Sequence, residues 1–187
     1  MKTVILYAHP YEGSFNHAVL LEVEQLLKKQ GKEVDVFDLN KDGFNPVMRK
    51  EDLKLFSTGW FADELAKSYA ERLRTADELV IIFPIWWYGE PAILKGFYDK
   101  VFLKGWVYEE KEHGLAGLLQ IKKTTILTTA SVDRKALSYL GDPIENVLIK
   151  GILGLIGIEN VEWIHCPTYF DENSRLEYLA AIKKHFN

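Results

Sequence analysis

Three short segments of this chain hold residue types that could bind or transform a small molecule, and each follows an apolar run. The first is His9-Pro10-Tyr11-Glu12-Gly13-Ser14-Phe15-Asn16-His17-Ala18. Ser14 is well placed as a helix N-cap, and Gly13 lets the backbone approach a ligand closely. The N–H groups of Phe15, Asn16 and their neighbours would project from the helix start, where donation and dipole together hold a phosphate. An ordinary capped helix beside a surface loop accounts for the same residues. The segment has neither G-x-G-x-x-G nor a Walker lysine, so a dinucleotide Rossmann turn and a P-loop are unsupported.

The second segment is Phe83-Pro84-Ile85-Trp86-Trp87-Tyr88-Gly89-Glu90-Pro91. Three consecutive aromatics on a turn cannot all enter one core face, so at least one ring should be exposed. A ring wall beside rigid backbone suits a flat conjugated ligand that needs stacking and edge hydrogen bonds. A seal over the sheet or a subunit interface would use the same rings. The third segment is Thr128-Thr129-Ala130-Ser131-Val132-Asp133-Arg134, whose hydroxyls and small residues could hydrogen-bond a polar ring or sugar. Other chemistries are poorly supported. His9, His17, His113, His165 and His185 make no ligand pair, so no metal site is expected. Cys166 reads as a small buried residue at a strand end, and no G-x-S-x-G elbow occurs.

The elements that must position these segments follow from apolar periodicity. Buried strands are expected at 3–8, 78–83 and 123–130, because their apolar runs do not alternate. A less buried strand is expected at 33–39 and a last one at 159–166. Helices are expected from Phe15 to about Leu27 with Gly31 as stop, at about 59–74, 91–103, 142–156 and 174–186. Residues 40–58 read as a long polar connection and 104–121 as an excursion or loop. Strand–helix alternation of this kind predicts an α/β fold: three layers, flavodoxin-like, with a five-stranded parallel sheet of order 2-1-3-4-5. Ligands of such sheets sit beyond the carboxyl ends of the strands, which is where the three segments lie.

The 187 residues amount to about one domain. A net charge of −4 argues against a nucleic-acid partner, and no apolar run is long enough for membrane insertion. A single cysteine excludes an internal disulfide, and with no targeting segment visible the cytoplasm is the expected location. Aromatics make up 13% of the chain, with five tryptophans, more than the three segments account for. The helical run Ile93, Leu94, Phe97, Tyr98, Val101, Phe102 is apolar over more than one face, which a core and a dimer interface together would explain.

Taken together, these residues resemble the NAD(P)H:quinone oxidoreductase family of flavodoxin-like flavoproteins. The likeness runs over nearly the whole chain. It rests on Ala8-His9-Pro10 with Ser14-Phe15-Asn16, on Phe44-Asn45-Pro46, on Phe83 through Gly96, on Asp99-Lys100-Val101-Phe102, and on Thr128-Thr129. The resemblance implies a non-covalent flavin, FMN or FAD, with NADH or NADPH as hydride donor and a quinone-like acceptor, nitro and azo compounds being further acceptors. It implies a phosphate and ribityl loop at His9, Ser14, Phe15, Asn16 and Ala18. It implies ring contacts at Pro84, Ile85, Trp86, Trp87 and Tyr88, where backbone N–H groups after Pro84 would face the ring's electronegative edge. A third contact is implied at Thr128, Thr129 and Ala130. It further implies ping-pong use of one pocket and a homodimer that completes each site.

Departures from the family pattern accompany the likeness. Ala130-Ser131 stands where many members carry Gly-Gly, and residues 130–150 contain no histidine. Tyr139 is the candidate for the family's catalytic tyrosine. The aromatic pair of the substrate pocket is reduced to Tyr108, a second catalytic candidate, with Trp106 as the expected filler. Two alternatives share the fold: a regulatory flavoprotein subunit of a transporter, and an electron-carrier flavodoxin, which the mild acidity and the His9-Pro10 loop fit poorly. A phosphoacceptor receiver domain is rejected, because His9-Pro10 and Pro84 stand where it needs carboxylates.

Overall fold

The computed structural model describes residues 1–187. Strands β1 (Lys2–Tyr7), β2 (Glu33–Asp38), β3 (Glu78–Pro84), β6 (Lys123–Thr129) and β7 (Val161–Cys166) form one parallel sheet in the order β2-β1-β3-β6-β7. This is the expected 2-1-3-4-5 order, renumbered because a small antiparallel hairpin intervenes. That hairpin, β4 (Tyr108–Lys111) with β5 (Gly114–Gly117), occupies the stretch expected to be an excursion or loop.

Successive strand side chains point to opposite faces. Val4, Leu6, Leu79, Ile81 and Phe83 therefore belong to the larger core, while Ile5, Tyr7, Val80 and Ile82 belong to the smaller one. The larger core is covered by α3 (Glu64–Leu73), α4 (Ala92–Val101) and the π-helical segment Ile144–Leu153. The smaller core is covered by α1 (Phe15–Lys29) and α6 (Glu172–Phe186). Ser14 caps α1, its Oγ accepting from the His17 amide at 3.1 Å. Gly31 follows with φ +72°, the left-handed conformation that lets the chain leave a helix.

Three differences from the sequence expectation have local causes. The polar connection holds a short helix, α2 (Lys50–Leu55), and a 3₁₀ turn over Phe56–Thr58. No residue of α2 is buried, so it leaves no apolar period. The helix expected from about 59 begins at Glu64, because Asp63 accepts from the amides of Leu65 and Ala66 and so sets the cap. The helix expected at 142–156 is π-helical, and α5 (Arg134–Tyr139) precedes it, capped by Asp133. No helix is long and apolar enough to cross a membrane.

Candidate functional site

The strands end around a cleft of about 600 Å³ at the carboxyl edge of the sheet. Its walls bring together His9, Ser14, Phe15, Asn16 and Ala18 from the loop after β1, Pro84, Ile85 and Trp86 from the end of β3, and Thr129 and Ala130 from the end of β6. The three segments are tied to one another. Asn16 Nδ2 donates to Thr129 Oγ1 at 2.8 Å, and the Ile85 amide donates to the Thr129 carbonyl at 2.8 Å. The walls thus form one hydrogen-bonded unit rather than three independent loops.

One side of the cleft is electropositive. The amides of Phe15 and Asn16 sit in the first turn of α1, where the helix supplies no acceptor. Arg175 adds a guanidinium, which lies 5.4 Å over the Phe15 ring and donates through Nε to the Tyr169 carbonyl. His9 Nδ1 accepts from the Tyr11 amide at 3.1 Å, which leaves Nε2–H of the neutral ring free to donate. Burial depresses the pKa of His9 below its ordinary 6.5, so that neutral form is favoured. Asn16 Oδ1 is buried without a partner in the chain. A buried, unpaired amide oxygen on the wall of a cleft this size fits a ligand that brings a donor of its own.

Beside His9 the cleft wall is aromatic. Trp86 meets His9 edge-on, with ring centroids 5.9 Å apart, and is half exposed to the cleft. The turn beyond it departs from the sequence expectation. The amide of Ile85 is spent on Thr129, and that of Trp86 donates to the Gly89 carbonyl at 2.9 Å. Gly89 returns the bond to the Trp86 carbonyl at 3.1 Å, closing a two-residue turn. Both turn residues have positive φ, 51° at Trp87 and 65° at Tyr88, as a type I′ turn requires. The amides immediately after Pro84 therefore do not face a ligand. Trp87 and Tyr88 stand outside the cleft lining, and Trp87 is 99% exposed.

Four other expected residues are also not part of the cleft wall. Thr128 is wholly buried and faces away, accepting from Trp163 Nε1 at 2.7 Å and meeting His165 Nδ1 at 2.8 Å. Trp106 donates its indole N–H to the Gly59 carbonyl at 2.8 Å and packs on Phe61, so it is held in the structure of the connection instead. Tyr108 opens β4 and lines a separate apolar groove of about 430 Å³ beside α4. Tyr139 ends α5 and is almost fully exposed. Within one chain, neither catalytic candidate reaches the cleft.

Sequence reasoning passed over Tyr169 and Arg175. Both follow the carboxyl end of β7, and the rule that directed attention to the ends of the other strands applies to that strand equally. Tyr11, Gly13 and Ser131 complete the lining from loops already identified.

The sequence profile of the flavodoxin-like fold matches residues 1–186. An uncharacterized NAD(P)H oxidoreductase of Haemophilus influenzae is 31% identical over 87% of this chain and 82% of its own length. An FMN-dependent NADH:quinone oxidoreductase of Lachnoclostridium phytofermentans is 33% identical over 71% of this chain and 66% of its own length. Among solved structures, the NAD(P)H:quinone oxidoreductase from Methanothermobacter marburgensis superposes with a TM-score of 0.86 at 26% identity, covering 100% of this chain and 95% of that one. The chain thus belongs to the flavodoxin-like fold family, among relatives that include NAD(P)H:quinone oxidoreductases.

Proposed function

We propose that the cleft binds a flavin, FMN, non-covalently, and that the protein transfers two electrons from NADH or NADPH to a quinone-type acceptor. The observation that carries this reading is the presence, in one cleft, of a helix N-terminus with Arg175 and of Trp86 with the Pro84-Ile85 backbone. An anionic chain at one end and a flat ring at the other is the shape of a flavin mononucleotide. The names of the relatives from Lachnoclostridium and Methanothermobacter support the same class of reaction.

A bound flavin supplies the hydride-accepting and hydride-donating ring. The chain's own residues do the rest. The first turn of α1, Arg175 and His9 Nε2–H would hold the phosphate end, and Asn16 Oδ1 would accept from the polar chain or ring. Trp86 and Ile85 would wall off one face of the ring and exclude water, leaving the open side for nicotinamide and acceptor in turn.

We further infer that two copies associate through the apolar groove beside α4. Exposed Leu53, Leu115 and Leu155 border that groove with Tyr98 and Phe102, a concentration of apolar surface that argues for a partner. A cytoplasmic setting accompanies this reading.

The decisive experiment is to incubate the purified protein with FMN, remove the excess, and add NADH or NADPH without oxygen. Bleaching of the bound yellow chromophore, followed by recovery on adding a naphthoquinone, is expected. A protein that retains no FMN, or a bound flavin that neither donor bleaches, contradicts the reading. Light scattering should find twice the mass of one chain.

A further inference from the structure

Behind the third wall of the cleft lies a closed hydrogen-bond chain that the proposed reaction does not use. Thr128 and His165 are partners in the β6–β7 register, and Trp163 stands two residues earlier on β7, so all three share one face of the sheet. The Trp163 indole N–H donates to Thr128 Oγ1 at 2.7 Å. Thr128 Oγ1 lies 2.8 Å from His165 Nδ1, and His165 Nε2 lies 2.8 Å from the Val132 carbonyl oxygen.

These contacts allow one proton arrangement for a neutral ring. A carbonyl can only accept, so Nε2 carries the hydrogen and donates to Val132. Nδ1 then accepts from the Thr128 hydroxyl, whose oxygen accepts from Trp163. Every donor in the chain then has an acceptor. The Val132 carbonyl belongs to the loop that leaves β6, and Ala130 and Ser131 of that loop face the cleft. Asp133, the next residue, caps α5, and Arg134 lies 4.1 Å over the Trp163 ring. The loop is therefore gripped from the face of the sheet opposite to the Asn16–Thr129 tie.

We propose that His165 is a positioning residue: with Thr128 and Trp163 it braces the Val132 carbonyl and so sets where Ala130 and Ser131 meet the bound cofactor. The proposal rests on the flavin reading above. It also predicts which protonation state works. A doubly protonated ring would donate at Nδ1 as well, turning Thr128 Oγ1 into an acceptor twice over and leaving its own buried O–H without a partner. Burial, the largest influence, and the Arg134 cation disfavour that state, while the Val132 carbonyl, Asp142 and Asp133 favour it, and the balance holds the pKa of His165 below its ordinary 6.5.

The test measures FMN affinity from pH 7.5 to pH 5 for the wild type, His165→Leu and His165→Gln. The Gln amide can still donate to the Val132 carbonyl but has no proton to gain. At pH 7.5, His165→Leu should bind FMN about tenfold more weakly, as expected for one lost buried hydrogen bond, and His165→Gln should recover much of that loss. As the pH falls, the wild type should weaken more steeply than His165→Gln. His9 and the ligand phosphate titrate in both proteins, so the difference between the two profiles isolates His165. Equal FMN affinity in His165→Leu and the wild type overturns the brace. So does a loss of FMN affinity in His165→Gln of about tenfold or more at pH 7.5, a comparison that holds even if the Leu variant fails to fold. A wild type that binds no FMN at any pH is a different result, because it removes the flavin reading itself and the brace with it.

Discussion

Trp87 and Tyr88 hold left-handed backbone conformations that glycine or asparagine would occupy with far less strain. Each non-glycine residue in that region costs roughly 1–2 kcal/mol, and the surrounding structure maintains it through the paired Trp86–Gly89 hydrogen bonds. That strain lies in the turn directly after Trp86, the last residue of this segment on the cleft wall. Tyr88→Gly should therefore raise stability by about 1 kcal/mol, or ~2–4 °C in Tm, even after the added unfolded-state entropy of glycine. The same variant should bind FMN no better than the wild type. A fall in its thermal midpoint would show that the Tyr88 ring contributes more packing than its backbone costs. The run of three aromatics announced exposed rings. It did not announce a turn that spends the Trp86 amide internally, because neither turn residue is of the type that usually signals such a turn.

At the scale of elements, the connection from Phe44 to Asp63 is strapped across α4, and two residues of that helix hold it. Gly96 makes room, since a Cβ there would meet Pro46 Cβ and O at 2.3 Å. Gly96→Ala should gain about 1 kcal/mol of helix propensity and lose more to the clash with backbone, a net destabilisation of about 2 kcal/mol read by denaturant unfolding. Lys100 is the second fastening. Its buried ammonium donates to Asp63 Oδ2 at 2.6 Å and to the Asn45 carbonyl at 2.9 Å, with Asp52 at 4.0 Å. Asp63 also caps α3, so the ion pair joins the strap, α3 and α4. Lys100→Met should cost about 3 kcal/mol, because it leaves carboxylates half-buried without their cation. An unfolding midpoint within error of the wild type would rule out that role. Gly96 and Lys100 were both visible in the motif, but their roles were not. Each depends on a residue about forty to fifty positions away.

For the whole molecule, pH is the most direct probe. Burial depresses the pKa values of His9, His165 and His185 below their ordinary 6.5. The unfolded chain therefore takes up protons at a higher pH than the folded one does, and stability falls as pH drops below about 6.5. Asp35, Asp52 and Asp63 add a second loss at lower pH. Burial raises each, but Arg72 and Lys2 at Asp35, Arg49 and Lys100 at Asp52, and Lys100 with two backbone amides at Asp63 outweigh it. Their net pKa values lie below the ordinary 3.8, so their stabilisation disappears as pH falls through the acid range. Tm should therefore decline from pH 7 to pH 5 and decline again below pH 4. A flat profile between 7 and 5 would show that the histidines titrate alike in the folded and unfolded states.

The division between what was legible and what was not follows the range of the interactions. Apolar runs that do not alternate marked β1, β3 and β6 as central strands, and the order of the sheet follows from local alternation and crossover handedness. The same reading singled out the loops after those strands, and the structure brings His9, Asn16, Trp86, Thr129 and Ala130 from them into one cleft. Which way Thr128 faces, and that Trp106 is held by Gly59, follow from strand pleat and from partners distant in the sequence. Arg175, the cleft's cation, comes from the start of the last helix and meets Phe15 only after the smaller core has packed α6 against α1. Periodicity and capping are written into neighbouring residues. Convergence of side chains from far-apart segments is decided by packing, and only the folded chain displays it.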